Sequence, residues 1–238
     1  MNTTLTFYQD ASPHVCSYLA DQMAQNIYPD PQVRMTNQLY SQLIQHGFRR
    51  SGDMSYRPHC PMCQRCVPVR INVNQFQANR SQQRCLKRNQ HLTITLTPAG
   101  FSEEHYQLYC DYLATRHLGG GMDDPTQDNY RNFLLSHWCE TSFIEFREHE
   151  KLVAVAVTDH VHDGLSAFYT FFDPNLSKQS LGTFAILQQL SIAKSQNLSW
   201  LYLGYWIEEC QKMRYKQSFS ALEGYIDQHW QPLKHEKL

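Results

Sequence analysis

The second half of the chain, from His91 onward, has hydrophobic and polar positions that recur with the periods of strands and helices. Alternating or continuously apolar segments of four to eight residues predict strands, and longer amphipathic segments predict helices. The predicted strands are 91–97, 143–147, 152–159, 165–172 and 200–203, and the predicted helices are 102–117, 124–138 and 180–195. The order is therefore strand, two helices, three antiparallel strands, helix, strand and a mixed tail.

That order predicts an α+β fold, because helices and antiparallel strands are segregated along the chain. It is the element order of an acetyltransferase-like (GNAT) domain, a mixed sheet with flanking helices. We therefore expect residues 91–238 to form a GNAT-like transfer domain.

Residues 1–90 contain shorter segments that are interrupted by proline and glycine. Helical spacing of apolar residues predicts a helix near 32–46, which Gly47 would end. Residues 67–74 alternate like a half-buried strand, although Pro68 favours a sheet edge or a strand start. We expect residues 1–90 to form a smaller, basic, cysteine-containing N-terminal domain.

The chain has 238 residues, of which 42% are hydrophobic and 18% charged, so it can bury a full core. Its N-terminus lacks the basic and apolar segments of an export signal, and its longest apolar run, Leu152 to Val157, is too short to span a bilayer. We expect a cytoplasmic protein without a membrane partner, in which the eight cysteines are reduced thiols or metal ligands.

Charge is distributed unevenly along the chain. Residues 49–88 contain nine arginines and lysines against the single acid Asp53, whereas the rest has twelve cations and 21 acids. A basic segment on an otherwise acidic protein favours a polyphosphate partner or an acidic ligand.

The segment Cys60-Pro61-Met62-Cys63-Gln64-Arg65-Cys66 places three thiols at two-residue intervals, with Cys16 as a distant fourth. Zinc sites and iron–sulfur clusters use such spacing. Two interpretations stay open, a metal or cluster held by Cys16, Cys60, Cys63 and Cys66, and purely structural cysteines.

Glycines mark two further segments. Ser180-Leu181-Gly182-Thr183 opens an amphipathic helix, whose first N–H groups attract anions, and the bulky Phe184 that follows would crowd a pyrophosphate. Gly119-Gly120-Gly121, after His117, suits either a flexible lid or a linker.

Several blocks together resemble one family, the arginyl-tRNA–protein transferases, and most of all its bacterial aspartate/glutamate leucyltransferase branch. The similarity extends in order from about Cys16 to Leu233. The blocks are Gly47-Phe48-Arg49-Arg50-Ser51-Gly52, Tyr56-Arg57-Pro58, Tyr169-Thr170-Phe171-Phe172-Asp173-Pro174, Ser180-Leu181-Gly182, Tyr202-Leu203-Gly204-Tyr205-Trp206 and Lys212-Met213-Arg214-Tyr215-Lys216.

The resemblance implies a cytoplasmic enzyme that moves leucine from leucyl-tRNA to proteins beginning with Asp or Glu and so marks them for N-end-rule degradation. The chain departs from eukaryotic relatives at Leu19, where they have the second cysteine of a Cys-x-x-Cys pair. Transfer itself would need no cofactor, and the departure puts their cluster chemistry in doubt for this chain.

For such a reaction we expect Asp173 or Tyr169 to handle the proton and the backbone N–H groups near Gly182 and Thr183 to stabilise an oxyanion. The acidic acceptor and the tRNA both require cations, and the sequence does not separate the two roles. The expected substrate-binding residues are Arg57, Arg80, Arg84, Tyr205, Trp206, Lys212 and Lys216.

Two other functions fit parts of the sequence. A metal-knuckle nucleic-acid-binding protein would use the basic segment and the cysteines alone. An acetyl-CoA-dependent acetyltransferase would explain the element order, but Phe184 argues against it.

Overall fold

The computed structural model describes residues 5–116 and 125–233. His117 and the glycines 119–121 lie outside these residues. In the described part no helix is both long and apolar enough to cross a membrane.

Fourteen strands and five α-helices make up the described residues, together with 3-10 helices at Pro174–Gln179 and Gln211–Ser218. The strands are β1 Phe7–Gln9, β2 His14–Val15, β3 Met23–Ala24, β4 Asn26–Pro29, β5 Arg49–Ser51, β6 Met54–Pro58, β7 Val67–Asn72, β8 Thr93–Pro98, β9 Thr141–Glu148, β10 Lys151–Val161, β11 Gly164–Phe172, β12 Trp200–Trp206, β13 Leu222–Ile226 and β14 His229–Pro232. The helices are α1 Asn37–Gln45, α2 Arg80–Arg88, α3 Glu103–Arg116, α4 Gln127–Leu134 and α5 Leu181–Ser195.

An eight-stranded mixed sheet forms the centre of the molecule, in the order β14-β13-β7-β12-β11-β10-β9-β8. Its pairs are antiparallel except for β11 and β12, which are parallel and joined through α5. Helices flank both faces, so the α+β class with a large mixed sheet is confirmed. The predicted order of elements from residue 91 to 206 is also confirmed.

Both faces of β10 are buried, which explains its continuous run of apolar residues. Val153, Ala154 and Ala156 belong to a core that includes α5, whereas Val155 and Val157 belong to a second core that includes residues of α3 and α4. The sheet therefore lies between two layers of helices.

Strand β7 lies inside this sheet, between β12 and β13. Pro68 is the second residue of the strand, which agrees with the predicted strand start but not with a sheet edge. The predicted boundary at residue 90 therefore runs through the large sheet, because β7 precedes it and every other strand of that sheet follows it. Earlier residues form a four-stranded sheet, β1-β4-β6-β5, and the β2–β3 hairpin.

Two predicted helices are shorter than expected. Thr36 caps α1 by accepting a hydrogen bond from the Leu39 N–H, so the helix covers 37–45 and not 32–46. Thr126 caps α4 in the same way, and that helix ends at Leu134. Helix α2 was not predicted, since its residues are mostly polar and carry little helical periodicity of apolar positions.

Candidate functional site

Strands β11 and β12 pair over only three residue pairs, Gly164–Trp200, Leu165–Leu201 and Ser166–Tyr202. Each strand continues beyond this point without pairing to the other. Each also has a register shift there, near Phe168 in β11 and near Leu203 in β12. Such bulges bend strands and re-aim side chains next to active sites. We call the gap between the unpaired ends of β11 and β12 the cleft.

Arg49 of β5 lies in the cleft. Its Nη2 donates to the carbonyl oxygens of Phe168, at 3.1 Å, and Ala167, at 3.5 Å. Its Nη1 is buried and has no hydrogen-bond partner. A Cβ at Gly204 would lie 2.1 Å from this Nη1, so the guanidinium group occupies the space that a side chain would fill.

The backbone conformation at position 204 also requires glycine. The φ of Gly204 is +76°, in the left-handed region that side chains disfavour. Its backbone conformation and the presence of Arg49 therefore require the same residue.

Lys216 is the second cation of this region and is only 7% exposed. Its ammonium group donates to the carbonyl oxygen of Tyr205. Desolvation lowers the pKa of Lys216 to about 7, Arg49 lowers it further, and Cys210 opposes the shift. An amine with this pKa is available as a base near neutral pH.

Tyrosines surround the two cations. The Tyr205 hydroxyl donates to the carbonyl oxygen of Gly47 at 2.9 Å, and its ring lies 6.3 Å from that of Tyr56. Tyr18 and Tyr215 are 47% and 45% exposed and lie where the region meets solvent. Desolvation raises the pKa of both to about 12, and Arg49 opposes the shift in each.

Carboxylates are not among the charges that act most strongly on this region. In the part of the chain that the structure describes, the main charges acting on Lys216 and on the tyrosines 18, 56, 205 and 215 belong to Arg49, cysteines and other tyrosines. The ion pairs found in the described ranges include neither Arg49 nor Lys216. The cleft is therefore cationic and partly buried.

The carboxylate of Asp173 already accepts hydrogen bonds from neighbouring side chains and backbone. Desolvation would raise the pKa of its carboxyl group, but hydrogen bonds from Lys151 and Asn175 hold the pKa below its usual value. Lys151 Nζ lies 2.7 Å from Oδ2, and the Asn175 backbone N–H and side-chain amide both donate to Oδ1 at 3.0 Å. Asp173 thus caps the 3-10 helix that begins at Pro174.

Tyr169 lies in the aromatic core on the α3 side of the sheet. Its buried hydroxyl has no hydrogen-bond partner, and desolvation, then Tyr112 and Tyr109, raise its pKa well above the usual value. Tyr112 also raises the pKa of Tyr215, so Tyr112 interacts electrostatically both with Tyr169 and with a tyrosine of the cleft.

Helix α5 begins next to the cleft, after Ser180, which is left-handed with φ 58° and makes no side-chain capping bond. The N–H groups of the first turn, at Leu181, Gly182 and Thr183, therefore keep their capacity to bind an anion. Phe184 is buried and packs edge-to-face on Phe146 at 5.5 Å. The expectation that its ring crowds a phosphate at this helix start is therefore wrong.

The other predicted substrate-binding residues are distributed over several places. Arg57 donates to the His46 carbonyl oxygen at 2.9 Å and lies over the ring of Phe48. Lys212 is exposed, and the Nε1 of Trp206 is buried without a partner. Arg80 and Arg84 are far from β5 along the chain and lie on the surface of α2.

Helix α2 presents its cations as one exposed row, because Arg80, Arg84 and Lys87 are spaced by four and three residues. These three line a surface depression of about 570 Å³. The helix is held beside the start of α5, since Asn89 Nδ2 donates to the Gln179 carbonyl oxygen at 2.8 Å.

The predicted metal ligands also come near one another. Burial raises the pKa of the Cys66 thiol to about 12, and Cys16, Cys60, Cys63 and Cys210 raise it further, in that order. All eight cysteines are free thiols. Sulfur donors suit zinc or an iron–sulfur cluster, yet within residues 5–116 and 125–233 no three His, Cys, Asp or Glu side chains are arranged as a metal site. A metal or cluster stays a prediction.

The sequence places Arg49 in the basic segment and in the block from Gly47 to Gly52, but neither pattern assigns it a role. Arg49 and Arg50 are adjacent cations on a short strand, and alternation sends them to opposite faces. Only contacts from distant segments show which of the two faces the cleft.

The fold and the site together define an α+β protein with a cationic cleft between diverging parallel strands and a basic helix beside it. Residues 14–84 match the family model described as arginine-tRNA-protein transferase, N terminus, and residues 104–226 match the C-terminus model. The chain belongs to the arginine-tRNA-protein transferase family.

Bacterial relatives are similar over nearly their whole length. The chain is 52% identical over 223 residues to an aspartate/glutamate leucyltransferase of Nitrosococcus oceani, covering 93% of this chain and 94% of the relative. It is 49% identical over 220 residues to one of Saccharophagus degradans, covering 92% and 93%. A solved structure of L-PGS from Bacillus licheniformis is similar over 59% of this chain and 45% of its own, with 13% identity and a TM-score of 0.45, too low to support a conclusion.

Proposed function

We propose that this protein moves leucine from leucyl-tRNA to the N-terminus of proteins that begin with Asp or Glu, and so marks them for N-end-rule degradation in the cytoplasm. The observation that carries this proposal is the cationic cleft, where the half-buried Arg49 and the buried Lys216 have no carboxylate partner among the described residues. Relatives named for this activity share about half of their residues with the chain.

The finer fold assignment is part of the same proposal. A GNAT-like transfer domain is supported by the diverging parallel pair β11–β12, the helix α5 that joins them and the antiparallel run from β8 to β11. A cysteine-containing N-terminal domain is supported by the small sheet β1-β4-β6-β5 and by the proximity of Cys16 to Cys66, whose pKa Cys16 raises.

The reaction is aminolysis of an ester. The α-amino nitrogen of the acceptor attacks the carbonyl carbon of the leucyl ester, a new amide bond forms, and the bond to the terminal ribose oxygen of the tRNA breaks. One proton leaves the amine and one is delivered to the ribose oxygen. The ester is already activated, so ATP is not required, and holding both reactants in the cleft supplies much of the rate.

Lys216 is the best-suited proton acceptor of the site. An α-amino group has a pKa of about 7.7–8.0, close to the lowered pKa of Lys216, about 7, so the transfer is nearly balanced. Asp173, the residue expected from the sequence, is a weaker base because its hydrogen bonds hold its pKa down. Tyr169, with a raised pKa, suits hydrogen-bond donation better than proton removal.

The start of α5 supplies the oxyanion donors. The N–H groups of Leu181, Gly182 and Thr183 have no helical partner, and such donors stabilise the negative charge that develops on a carbonyl oxygen. Tyr205, Trp206 and Lys212 lie on β12 and the 3-10 helix after it, where they would border the leucyl ester.

The exposed row on α2 would bind the tRNA phosphates. Arg80 and Arg84 line a shallow surface depression next to the α5 start, and open rows of cations suit a phosphodiester chain better than a small carboxylate. Arg57 is the remaining cation expected to contact a substrate, and the residue is half-buried.

Zinc or an iron–sulfur cluster, if present, would be held by Cys16, Cys60, Cys63 and Cys66. It would supply rigidity to the N-terminal segment. The transfer steps above use none of these residues.

Transfer of radiolabelled amino acid from leucyl-tRNA and from arginyl-tRNA to peptides beginning with Asp, Glu, Lys or Ala tests the proposal. We expect leucine transfer to the Asp and Glu peptides only. No transfer from either tRNA by folded protein would refute it and favour the metal-knuckle RNA-binding alternative. Binding of acetyl-CoA instead would favour an acetyltransferase.

A further inference from the structure

Arg49 is an unusual cation for a protein interior. Its Nη2 has two carbonyl partners, its Nη1 has none, and Gly204 leaves the space that Nη1 occupies. Burying part of a guanidinium group that lacks a counter-charge is unfavourable, because hydration is lost. The neighbouring Arg50 shows the usual solution, a bidentate pair with Asp159.

Lys216 adds a second cation to the same region. Arg49 is among the charges that act on its ammonium group, so the two lie within electrostatic range of each other. Two cations without a carboxylate between them attract an anion to the cleft.

The surroundings of the cleft limit the size of that anion. Tyr56 and Tyr205 form an aromatic wall, and Tyr18 and Tyr215 lie at the solvent side, each about half exposed. Arg49 as a whole is half-buried, so the cleft is not sealed. A single side-chain carboxylate is therefore the anion we expect in the cleft, whereas a phosphodiester chain suits the open row on α2.

We propose that Arg49 is the residue that selects acidic acceptors, its half-buried guanidinium group, which has no carboxylate partner among the described residues, pairing with the side-chain carboxylate of the N-terminal Asp or Glu. This inference rests on the proposed function. Lys216 lies in the same cleft and receives the proton of the attacking amine. A planar guanidinium binds a carboxylate with directed hydrogen bonds, so geometry as well as charge selects the acceptor.

Discrimination follows from the cost of an unpaired cation. An acceptor with Asn or Gln has nearly the same shape as one with Asp or Glu, but its neutral amide leaves the half-buried guanidinium uncompensated. Sites that hold a buried charge for the substrate reject analogues that lack its partner. Arg57 is less suited to this task, because its hydrogen bond to the His46 carbonyl oxygen is exposed to solvent, where an unpaired charge costs little.

The test compares isosteric acceptors. Steady-state leucine transfer is measured for peptides beginning with Asp, Asn, Glu and Gln, with wild-type protein, Arg49→Gln and Arg49→Lys. We expect the wild-type kcat/KM to favour Asp over Asn by at least about tenfold. In Arg49→Gln this ratio falls to within about twofold, because activity on the Asp peptide is lost while activity on the Asn peptide is kept.

Arg131→Gln is the matched control. Arg131 also lies over an aromatic ring, that of Phe101 at 3.9 Å, but on α4 and outside the cleft, so the Asp-to-Asn ratio should not change. Binding of leucyl-tRNA by Arg49→Gln, measured on filters, should match the wild type, because the substitution leaves the donor side intact.

Two results would overturn the inference. One is an unchanged Asp-to-Asn ratio in Arg49→Gln. If that variant has also lost bound metal, Arg49 would instead support the cysteines. The second result comes from Arg49→Lys, which keeps the charge but not the planar group and decides the matter if Arg49→Gln does not fold. A KM of Arg49→Lys for the Asp peptide equal to that of the wild type would contradict the inference. Absence of any leucine transfer by the wild type would instead refute the proposed function itself.

Discussion

Arg50 and Asp159 form a bidentate ion pair with no solvent exposure, in which Nη2 lies 2.6 Å from Oδ1 and Nε lies 2.9 Å from Oδ2. Arg50 also donates to the Leu134 carbonyl oxygen at 3.1 Å and lies over the Phe168 ring at 4.0 Å. The pair ties β5 to β10, and since Arg49 is the adjacent residue, it also positions the cation of the cleft.

Removing one partner of this pair should destabilise the protein strongly. We expect Asp159→Asn to lower the free energy of unfolding by about 3–5 kcal/mol, because it leaves a buried guanidinium uncompensated. Urea denaturation measures the change. Arg65→Gln is the control, since it breaks an exposed pair with Glu209 at 3.2 Å and should cost less than about 1 kcal/mol. Equal effects of the two substitutions would contradict the structural role of the buried pair.

Gly204→Ala should disturb both the backbone and Arg49. The left-handed φ costs about 1–2 kcal/mol for a residue with a Cβ, and the methyl group would lie 2.1 Å from Nη1. We expect lower stability in thermal unfolding and a loss of leucine transfer to Asp peptides. Gly100→Ala is the matched control, because no atom lies within 4 Å of its added Cβ. Normal transfer by Gly204→Ala would show that Arg49 need not hold this position.

Lys216 should make stability depend on pH. The folded state holds the lysine with a pKa of about 7, against 10.5 for the ordinary side chain, so between these values the unfolded state binds more protons. The free energy of unfolding of the wild type, relative to Lys216→Met, should therefore rise as the pH increases from about 7 to 10.5. Urea denaturation at several pH values measures this difference.

Lys212→Met serves as the comparison for that experiment, since Lys212 is exposed on the same 3-10 helix. Its stability relative to the wild type should not vary over the same pH range. A flat difference for Lys216→Met as well would mean that Lys216 is charged in the folded protein, and the proposed proton acceptor would be lost.

The row on α2 should control the salt dependence of tRNA binding. Each phosphate contact contributes roughly 0.7–0.9 to the slope of log K against log salt, so Arg80→Gln with Arg84→Gln should reduce the slope by about 1.4–1.8. Filter binding of leucyl-tRNA at several salt concentrations measures it. Lys194→Gln, at the opposite end of α5, should leave the slope unchanged. An unchanged slope in the double variant would place the tRNA elsewhere.

A substitution in the cation row of α2 distinguishes tRNA binding from acceptor binding, two roles that the sequence does not separate. Replacing Arg80 by Ala should lower leucine transfer to the Asp peptide and the weaker transfer to the Asn peptide by the same factor, because the donor is common to both. A selective loss on the Asp and Glu peptides would instead return Arg80 to the acceptor site.

The periodicity of the chain was sufficient for the strands and helices between residues 91 and 206. β9, β10 and β11 are long and strongly apolar, and α5 is bounded by a turn, so local patterns identify them. The sequence does not predict helix α2, because its side chains are mostly polar. Asn79 caps the helix, and Asn89 holds it beside α5.

The sequence by itself determined the α+β class, the order of elements, the basic segment and the family, because these depend on local periodicity, charge and blocks of consecutive residues. Only the tertiary structure decided the place of β7 inside the sheet, the cleft between β11 and β12, and the choice between Arg49 and Arg50. Pairing register and burial join residues far apart along the chain, such as Arg50 with Asp159 and Arg49 with Gly204. The free energy of those contacts depends on distance and desolvation in the folded state, which no local pattern contains.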